Sequence, residues 1–264
     1  MVRQTDLLMS QRRLLAALSV ALLLAVAGCA GISGEDGTTG ADDAETLQNR
    51  TLERLENVET YTFEGTTTST AGNTTVETRT EGAFDTPARR ARMNMTLSSD
   101  GPYGSNNETV EMYVLNDTVY VSPAGHDGWQ AVDASEMPGL GSSDPIEDHG
   151  LELQRVLLDS AEVRIVGNET IDGRSTTVLE VEPTDEALET YLQRIGGSAR
   201  DRTIENATLT QWVTDDGYVV RSEAEMTVSV GKQTANVTTT AEFDDFNESV
   251  DIEPPEDVRD GEQA

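Results

Sequence analysis

Apolar and polar residues alternate through the segment Arg90-Ala-Arg-Met-Asn-Met-Thr-Leu97. Successive side chains of a β-strand point to opposite faces, so every second residue of this segment lies on the same side. The apolar side carries Ala91, Met93, Met95 and Leu97, while Asn94 lies on the polar side. A strand with one apolar and one polar face is typical of an antiparallel sheet that is covered on one face only.

The same alternation recurs along most of the chain and predicts about ten strands. The segments with this alternation lie at 61–65, 76–84, 91–97, 112–115, 118–121, 128–132, 162–166, 175–181, 208–213, 218–230 and 232–243. Turn residues join several of them, including Asn116-Asp117 and Asp215-Asp-Gly217, while residues 167–173 read as a loop. The short spacing between segments favours a meander.

Three segments instead have helical periodicity, at 46–58, 151–158 and 184–195. The last is the clearest, because Thr184 can cap it and Gly196-Gly197 ends it. Helices are the only elements available to cover the apolar face of the sheet. We therefore predict an α+β fold, a single curved antiparallel sheet (a half-barrel) with about three helices on its concave side.

The N-terminus has the features of a lipoprotein signal peptide covering residues 1–28. The apolar run of fifteen residues from Leu14, which includes Ser19, reaches about 22 Å, too short for a bilayer core. The run ends in the small residues Val26, Ala27 and Gly28, directly before Cys29, the single cysteine of the chain. Cys29 is thus predicted to carry the lipid anchor. The alternative is a buried or spanning helix with an incidental cysteine.

Arg12 and Arg13 precede the apolar run and resemble a twin-arginine export signal, with the general secretory route as the alternative. Residues 29–45 are rich in glycine, threonine and acid and predict a flexible tether. The folded domain is then expected at 46–258, with a disordered tail at 259–264. This organisation predicts a protein anchored on the outer face of the cytoplasmic membrane.

The 264-residue chain has 49 acidic and 18 basic residues, a formal net charge of −31. Such a balance excludes a nucleic-acid binder that works by phosphate neutralisation. The acids are dispersed along the domain, and Lys232 is the single lysine. This composition resembles the surface of haloarchaeal proteins, in which molar salt screens like charges. The charge thus predicts a salt-adapted surface.

Nine of the eleven asparagines begin an Asn-X-Ser/Thr sequon, the acceptor for N-glycosylation. They are Asn49, Asn73, Asn94, Asn107, Asn116, Asn168, Asn206, Asn236 and Asn247. Strand alternation places Asn94 and Asn236 on polar faces, and we expect Asn116 and Asn168 at turns. The pattern fits an exported glycoprotein, although threonine abundance alone would create several sequons.

Five segments resemble, in order, the LppX/LprG-type and LolA/LolB-like lipoprotein carriers, and the chain is also similar to haloarchaeal surface lipoproteins. The segments are Tyr61-Thr-Phe-Glu-Gly65, residues 114–129 ending in Trp129, residues 166–173, Gln211-Trp-Val-Thr-Asp-Asp-Gly217, and residues 243–255. The resemblance covers residues 46–258. It implies a half-barrel with helices across its mouth and an apolar cavity for lipid acyl chains.

Residues that could carry catalysis are scarce. His126 and His149 each lie next to an acid, as a general base or metal ligand does, but in a chain this acidic such a neighbour is expected by chance. The sequence contains no nucleophile-elbow, zinc-protease, phosphate-loop or EF-hand motif. We therefore expect no catalytic residues, no metal and no cofactor.

Ten apolar positions are expected to face the concave side and to line an apolar cavity. They are Tyr61, Phe63, Phe84, Met93, Met95, Leu97, Met112, Val220, Met226 and Val228. The first functional hypothesis is a lipid-anchored surface protein, not an enzyme, that binds or carries a hydrophobic molecule or lipid. The alternative is a structural or interaction module of the cell envelope, in which these residues pack under the helices and no ligand binds.

Overall fold

A computed structural model describes residues 39–102, 104–116, 118–123, 128–133, 146, 150–194, 202–231, 233–256 and 258. Eleven strands form one antiparallel sheet in the order β6-β5-β4-β3-β2-β1-β11-β10-β9-β8-β7. The strands are β1 (Thr60–Ala71), β2 (Thr74–Asp85), β3 (Arg90–Gly101), β4 (Gly104–Leu115), β5 (Thr118–Pro123), β6 (Gln130–Asp133), β7 (Glu162–Ile171), β8 (Arg174–Glu182), β9 (Arg202–Thr214), β10 (Val219–Val230) and β11 (Gln233–Asp244). The sheet is curved and unclosed, which confirms the predicted half-barrel.

The sheet consists of two meanders, β1 to β6 and β7 to β11, joined by the pairing of β1 with β11. Within each meander neighbouring strands are joined by turns that suit their sequence. Asn116, at the predicted two-residue turn between β4 and β5, has a positive φ of 54°. Asn tolerates this conformation better than most residues do.

Three helices cover one face of the sheet, which we call the concave face: α1 (Thr39–Glu56), α2 (Gly150–Leu158) and α3 (Asp185–Arg194). Leu55 of α1, Leu157 of α2 and Leu188 of α3 pack in one cluster with the concave-face side chains. Helix α3 begins as predicted, because the Ala187 N–H donates to Thr184 Oγ1 at 3.2 Å.

The main core fills one end of the concave face, where the chain leaves α1 and enters β1. Tyr61 stacks on Phe84 with ring centroids 5.0 Å apart, and Phe243 lies 6.2 Å from Tyr61. The first turn of α2 lies directly above these rings, since a Cβ added at Gly150 would be 3.5 Å from Phe243. This end of the half-barrel is closely packed.

The opposite, convex face is polar except at its two ends. At one end Ile252 and Val258 of the C-terminal segment pack on Tyr113, Leu115 and Tyr120. At the other end a second cluster contains Ile171, Trp212 and Val220. The C-terminal segment therefore packs on the sheet as far as Val258.

Two predicted boundaries were wrong. Helix α1 begins at Thr39, inside the segment predicted as a tether, and Ala44 in that segment is fully buried. Strand β7 continues to Ile171 through residues predicted as a loop, with a bulge between Ile165 and Gly167. The physical reason is that β7 is an edge strand, whose exposed polar residues look like a loop in the sequence.

Candidate functional site

The concave face contains two successive rows of small side chains across the four central strands. The pairing register aligns Thr80, Gly65, Ala241 and Ser222 in one row, and Thr78, Thr67, Thr239 and Ala224 in the next. We call these eight residues the small-residue floor. Strands spaced about 4.8 Å apart make this floor about 14 Å wide.

Larger side chains flank the floor on both sides. Met95 and Leu97 of β3 continue the two rows on one side. On the other side the rows continue into β9 with Gln211 and Leu209. The concave face is therefore shallow at its centre and higher at both flanks, which is the cross-section of a groove.

Two glycines mark the border between the packed core and this floor. A Cβ at Gly82 would lie 2.7 Å from both Phe63 Cε1 and the Arg92 carbonyl oxygen, so the Phe63 ring occupies the space above Gly82. One row further, a Cβ at Gly65 would meet, among the described atoms, only two backbone oxygens at 3.6 and 4.0 Å. The space above Gly65 thus has room for other atoms, while the space above Gly82 has none.

One polar cluster interrupts the apolar flank on the β9 side. Gln211 Nε2 donates to Gln154 Oε1 at 3.0 Å, and Ser222 Oγ donates to the same oxygen at 2.8 Å. Gln154 belongs to α2, so these bonds connect that helix to the sheet at the edge of the floor. Gln211 is 0 % exposed, and its Oε1 has no hydrogen-bond partner among the described residues. Sequence reasoning missed this cluster because an isolated Gln gives no periodic signal.

The ten predicted cavity residues fall into separate groups. Four are buried in the packed core, namely Tyr61, Phe84, Met93 and Met112. Phe63 and Met95 pack against that core and are partly buried. Leu97 is 36 % exposed beside the floor, and Met226 and Val228 continue β10 beyond it. Only the last three and Met95 lie beside the small-residue floor.

The prediction that Val220 faces the concave side was wrong, because Val220 lies on the convex face with Trp212 and Ile171. The register between β9 and β10 shifts between Val219 and Arg221. Such a bulge reverses the alternation, because one extra residue moves the following side chains to the opposite face. Val219 therefore takes the concave position that the sequence pattern assigned to Val220.

The described cavities of the convex face are polar. One of about 650 Å³ is lined by residues that include Arg92, Arg174 and Asp244, and one of about 490 Å³ by residues that include Glu64 and Glu81. Charged walls of this kind do not suit an apolar molecule. Within the described part of the chain no group of three His, Cys, Asp or Glu is placed to hold a metal ion.

Helix α2 also carries a charged cluster beside the polar one. Arg155 bonds Glu152 through two hydrogen bonds of 2.6 and 2.7 Å, and Arg194 of α3 reaches Glu152 Oε1 at 2.9 Å. Burial alone would raise the pKa of Glu152, but the hydrogen bonds and charges of the two arginines outweigh it and lower that pKa from 4.5. The cluster fixes α3 against α2.

Eight of the nine sequon asparagines are exposed. Asn94 is half-buried on the convex face, where its Nδ2 donates to Glu81 Oε1 at 3.2 Å. Asn168 lies within β7 and not at a turn, because that strand is longer than predicted. Asn247 Oδ1 accepts the Glu59 N–H at 2.8 Å, so this side chain has a structural role.

The predicted signal and catalytic candidates lie outside the described residues. These are Arg12, Arg13, Val26, Ala27, Gly28, Cys29, His126 and His149. Among the helices that the structure describes, none is both long and apolar enough to span a membrane.

No protein-family model and no curated protein matches the chain by sequence. Solved structures do match. LprF from Mycobacterium bovis is similar with a TM-score of 0.51 and 14 % identity, covering 82 % of this chain and 98 % of LprF. Lipoprotein LppX from Mycobacterium tuberculosis is similar with a TM-score of 0.46 and 15 % identity, covering 79 % of this chain and 99 % of LppX. A LolA superfamily protein from Nitrosomonas europaea has a TM-score of 0.30 and 10 % identity, covering 81 % of this chain and 96 % of that protein.

The similarity to LprF is one of fold, because it extends over nearly the whole of that chain at low sequence identity. It agrees with the half-barrel that the resemblance to LppX/LprG-type carriers implies. The class that the structure defines is thus a half-barrel with three helices on its concave face.

Proposed function

We propose that this protein is a lipid-anchored protein of the cell surface, not an enzyme, whose domain binds a hydrophobic molecule above the small-residue floor. The supporting observation is the open space above Gly65, one row away from the filled space above Gly82. Met95 and Leu97 offer an apolar flank on the β3 side to a chain lying on the floor, and on the β9 side the floor borders the buried Leu209. An acyl chain is the simplest molecule to fit a shallow groove with a floor of small side chains and an apolar flank.

This proposal moves the site away from most of the positions that the sequence predicted. The aromatic residues around Tyr61 belong to the packed core, so displacing them would cost their mutual packing. The floor needs no such displacement, since seven of its eight residues are only half-buried. The hydrophobic ligand is therefore expected at the floor.

The test fills the floor without touching the core. Gly65→Leu places a large side chain where the described atoms leave space, so the fold is expected to survive. Gly167→Leu on the exposed edge strand is the matched control, because a Cβ there meets nothing within 4 Å. Native mass spectrometry of the mature protein, with lipid extraction, measures bound lipid and the uptake of added long-chain lipid.

Wild-type protein and Gly167→Leu are expected to retain lipid, and Gly65→Leu to lose it by about tenfold or more. If wild-type protein neither co-purifies with lipid nor takes up the added lipid, the hypothesis of a hydrophobic ligand is wrong. An envelope module with a filled core would then be the better description.

The anchor is a separate part of the proposal and rests on the sequence around Cys29. Cys29→Ala removes the thiol that would accept the lipid, so the protein is expected to leave the membrane fraction. Membrane fractionation followed by immunoblotting measures this directly. Membrane retention of the variant at the wild-type level would contradict the assignment.

The exposed sequons support an exported, glycosylated surface as part of the same proposal. Asn49, Asn73, Asn107 and Asn206 are exposed and hold no structural hydrogen bond described here through their side chains. They are the positions at which a glycan would disturb the domain least. Glycopeptide mass spectrometry of the native protein tests their occupancy.

A further inference from the structure

We infer that the molecule bound above the small-residue floor has a neutral hydrogen-bond donor, a hydroxyl or amide N–H, that binds Gln211 Oε1. This inference rests on the proposed function and specifies the chemistry of the ligand's polar end. The ligand is then an uncharged amphiphile whose polar end lies at β9 and whose apolar part lies on the floor.

Gln211 has an unusual position for a polar residue. It is fully buried on β9, the third strand from the β7 edge of the sheet, and stands in the same row as Ser222, Ala241 and Gly65. Its Nε2 is satisfied by Gln154, but its Oε1 has no partner among the described residues. An unsatisfied buried acceptor loses its hydrogen bonds to water without replacing them, so its presence needs an explanation.

The unpartnered acceptor of Gln211 lies beside the small-residue floor. Ser222 is the floor residue next to Gln211, and both contact the same Gln154 side chain. Gln211 is fully buried, so a ligand reaches its Oε1 only if a covering side chain moves, and the half-buried Gln154 is the side chain bonded to it. A molecule that lies on the floor thus ends beside an acceptor that lacks a donor.

The surroundings of Gln211 favour a neutral polar group on the ligand. An anionic group brings further acceptors and no donor, and it would enter an already strongly acidic protein. A cation buried at Gln211 would need a carboxylate, and the nearby Glu152 already binds Arg155 and Arg194. A neutral donor satisfies Oε1 without either cost.

The experiment compares two probes that differ in the donor and by one methyl group. These are 1,2-dioleoylglycerol, which has a free hydroxyl, and its 3-O-methyl ether, which has none. Their dissociation constants are measured with the mature wild-type protein by native mass spectrometry. We expect the alcohol to bind about fivefold to tenfold more tightly, the effect of one hydrogen bond to a buried acceptor.

Gln211→Leu removes the acceptor while Leu fits between Leu179 and Leu209, so the preference for the alcohol is expected to disappear. Gln211→Met is the second variant, used if the first does not fold. Gln130→Leu, on the exposed β6, is the matched control and should keep the preference. Thermal unfolding of the variants without lipid should show little loss of stability at position 211, because the unsatisfied acceptor is removed together with the Nε2 bond to Gln154, and Ser222 still donates to Gln154 Oε1.

Equal binding of the two probes to wild-type protein would overturn this inference and leave the proposed function intact. A preference that persists in Gln211→Leu would also overturn it. If neither probe binds but long-chain lipid does, the polar end is wrong and the floor remains the site. If no lipid of any kind binds, both proposals fail.

Discussion

Gly82 and Gly65 are similar in the sequence but not in the structure. Gly82→Ala places a methyl group 2.7 Å from the Phe63 ring and from a backbone oxygen, so we expect a loss of about 1–3 kcal/mol in the free energy of unfolding. Gly65→Ala meets no such contact, and its effect should stay within about 0.5 kcal/mol. Urea denaturation in molar salt measures both; equal losses would contradict the border between core and floor.

The sequence predicted, for most strand residues, which face of the sheet the side chain lies on, but it did not predict how much space lies above that side chain. Alternation correctly placed Tyr61, Phe84 and Met93 on the helix-covered side, because side-chain direction follows strand periodicity. It failed at Val220, where a bulge reverses the direction. It also gave no weight to Thr67 or Ala241, since small residues contribute little to an apolar pattern.

The ion pairs of Glu152 make the stability of the fold depend on pH. Burial opposes its ionisation, but Arg155 and Arg194 lower its pKa in the folded state from 4.5. The ionised carboxylate therefore stabilises the fold above the unfolded-state pKa, and this contribution is lost as the pH falls through the folded-state pKa. Glu152→Gln should reduce stability by about 1 kcal/mol at pH 7, and by progressively less as the pH falls below about 4.5.

The measurement for Glu152 is a difference between two proteins, because other carboxyls of this acidic chain titrate over the same range. Glu53→Gln, exposed on α1, supplies the matched control and should show little effect at either pH. A Glu152→Gln difference that stays constant from pH 7 to pH 3 would contradict the assigned role of the arginines.

At the scale of elements, the sequence predicted that the three helices exist, but it did not predict where they pack on the sheet. The apolar spacing of α2 indicated a helix, but two polar contacts decide its position. Tyr61 accepts a hydrogen bond from the Leu151 N–H in the first turn, and burial raises the pKa of the Tyr61 hydroxyl well above 10. One turn later Gln154 bonds Gln211 and Ser222. Isolated polar residues of this kind have no signature in a single sequence.

The central strands carry a row of like charges on the convex face. Glu64 lies directly opposite Glu81 on one neighbouring strand and opposite Glu242 on the other. Like charges in directly opposed positions destabilise a sheet. Asn94 donates to Glu81, and Arg221 lies 4.0 Å from Glu242, so Glu64 is the member of the row with acids on both sides.

Glu64→Gln is therefore expected to stabilise the domain by about 0.5 kcal/mol at 0.1 M NaCl, and by less in molar NaCl, where screening already reduces the repulsion. Glu225→Gln is the control, because Glu225 pairs with Thr208 and Thr238. Thermal unfolding of both variants at the two salt concentrations gives the comparison. An equal gain for both variants would show that the row itself has no special role.

At the scale of the whole molecule, local signals predicted the fold class, and the long-range pairing had to come from the structure. Each hairpin is marked by its own turn residues, as at Asn116, so the two meanders follow from the sequence. The pairing of β1 with β11 joins strands from opposite ends of the domain. No turn connects them, so a single sequence contains no direct signal for it.

The net charge of −31 leads to the last prediction, which concerns the folded state as a whole. Described ion pairs such as Arg174–Asp244 and Arg79–Glu77 engage only a few of the carboxylates, so repulsion among the remaining acids opposes the compact state. The screening length grows from about 3 Å in 1 M salt to about 10 Å in 0.1 M salt. We therefore expect the melting temperature to fall steadily as NaCl is diluted from molar to millimolar.

Circular dichroism at 218 nm during such a dilution measures this loss of structure. Sucrose at matched osmolality is the control, because it favours burial by exclusion from the surface without screening charges. Recovery of stability by NaCl but not by sucrose would identify screening as the cause, and Glu64→Gln should shift the midpoint to lower salt. A signal that stays unchanged down to millimolar NaCl would mean that the acidic surface is tolerated without salt, and the salt-adapted interpretation would be wrong.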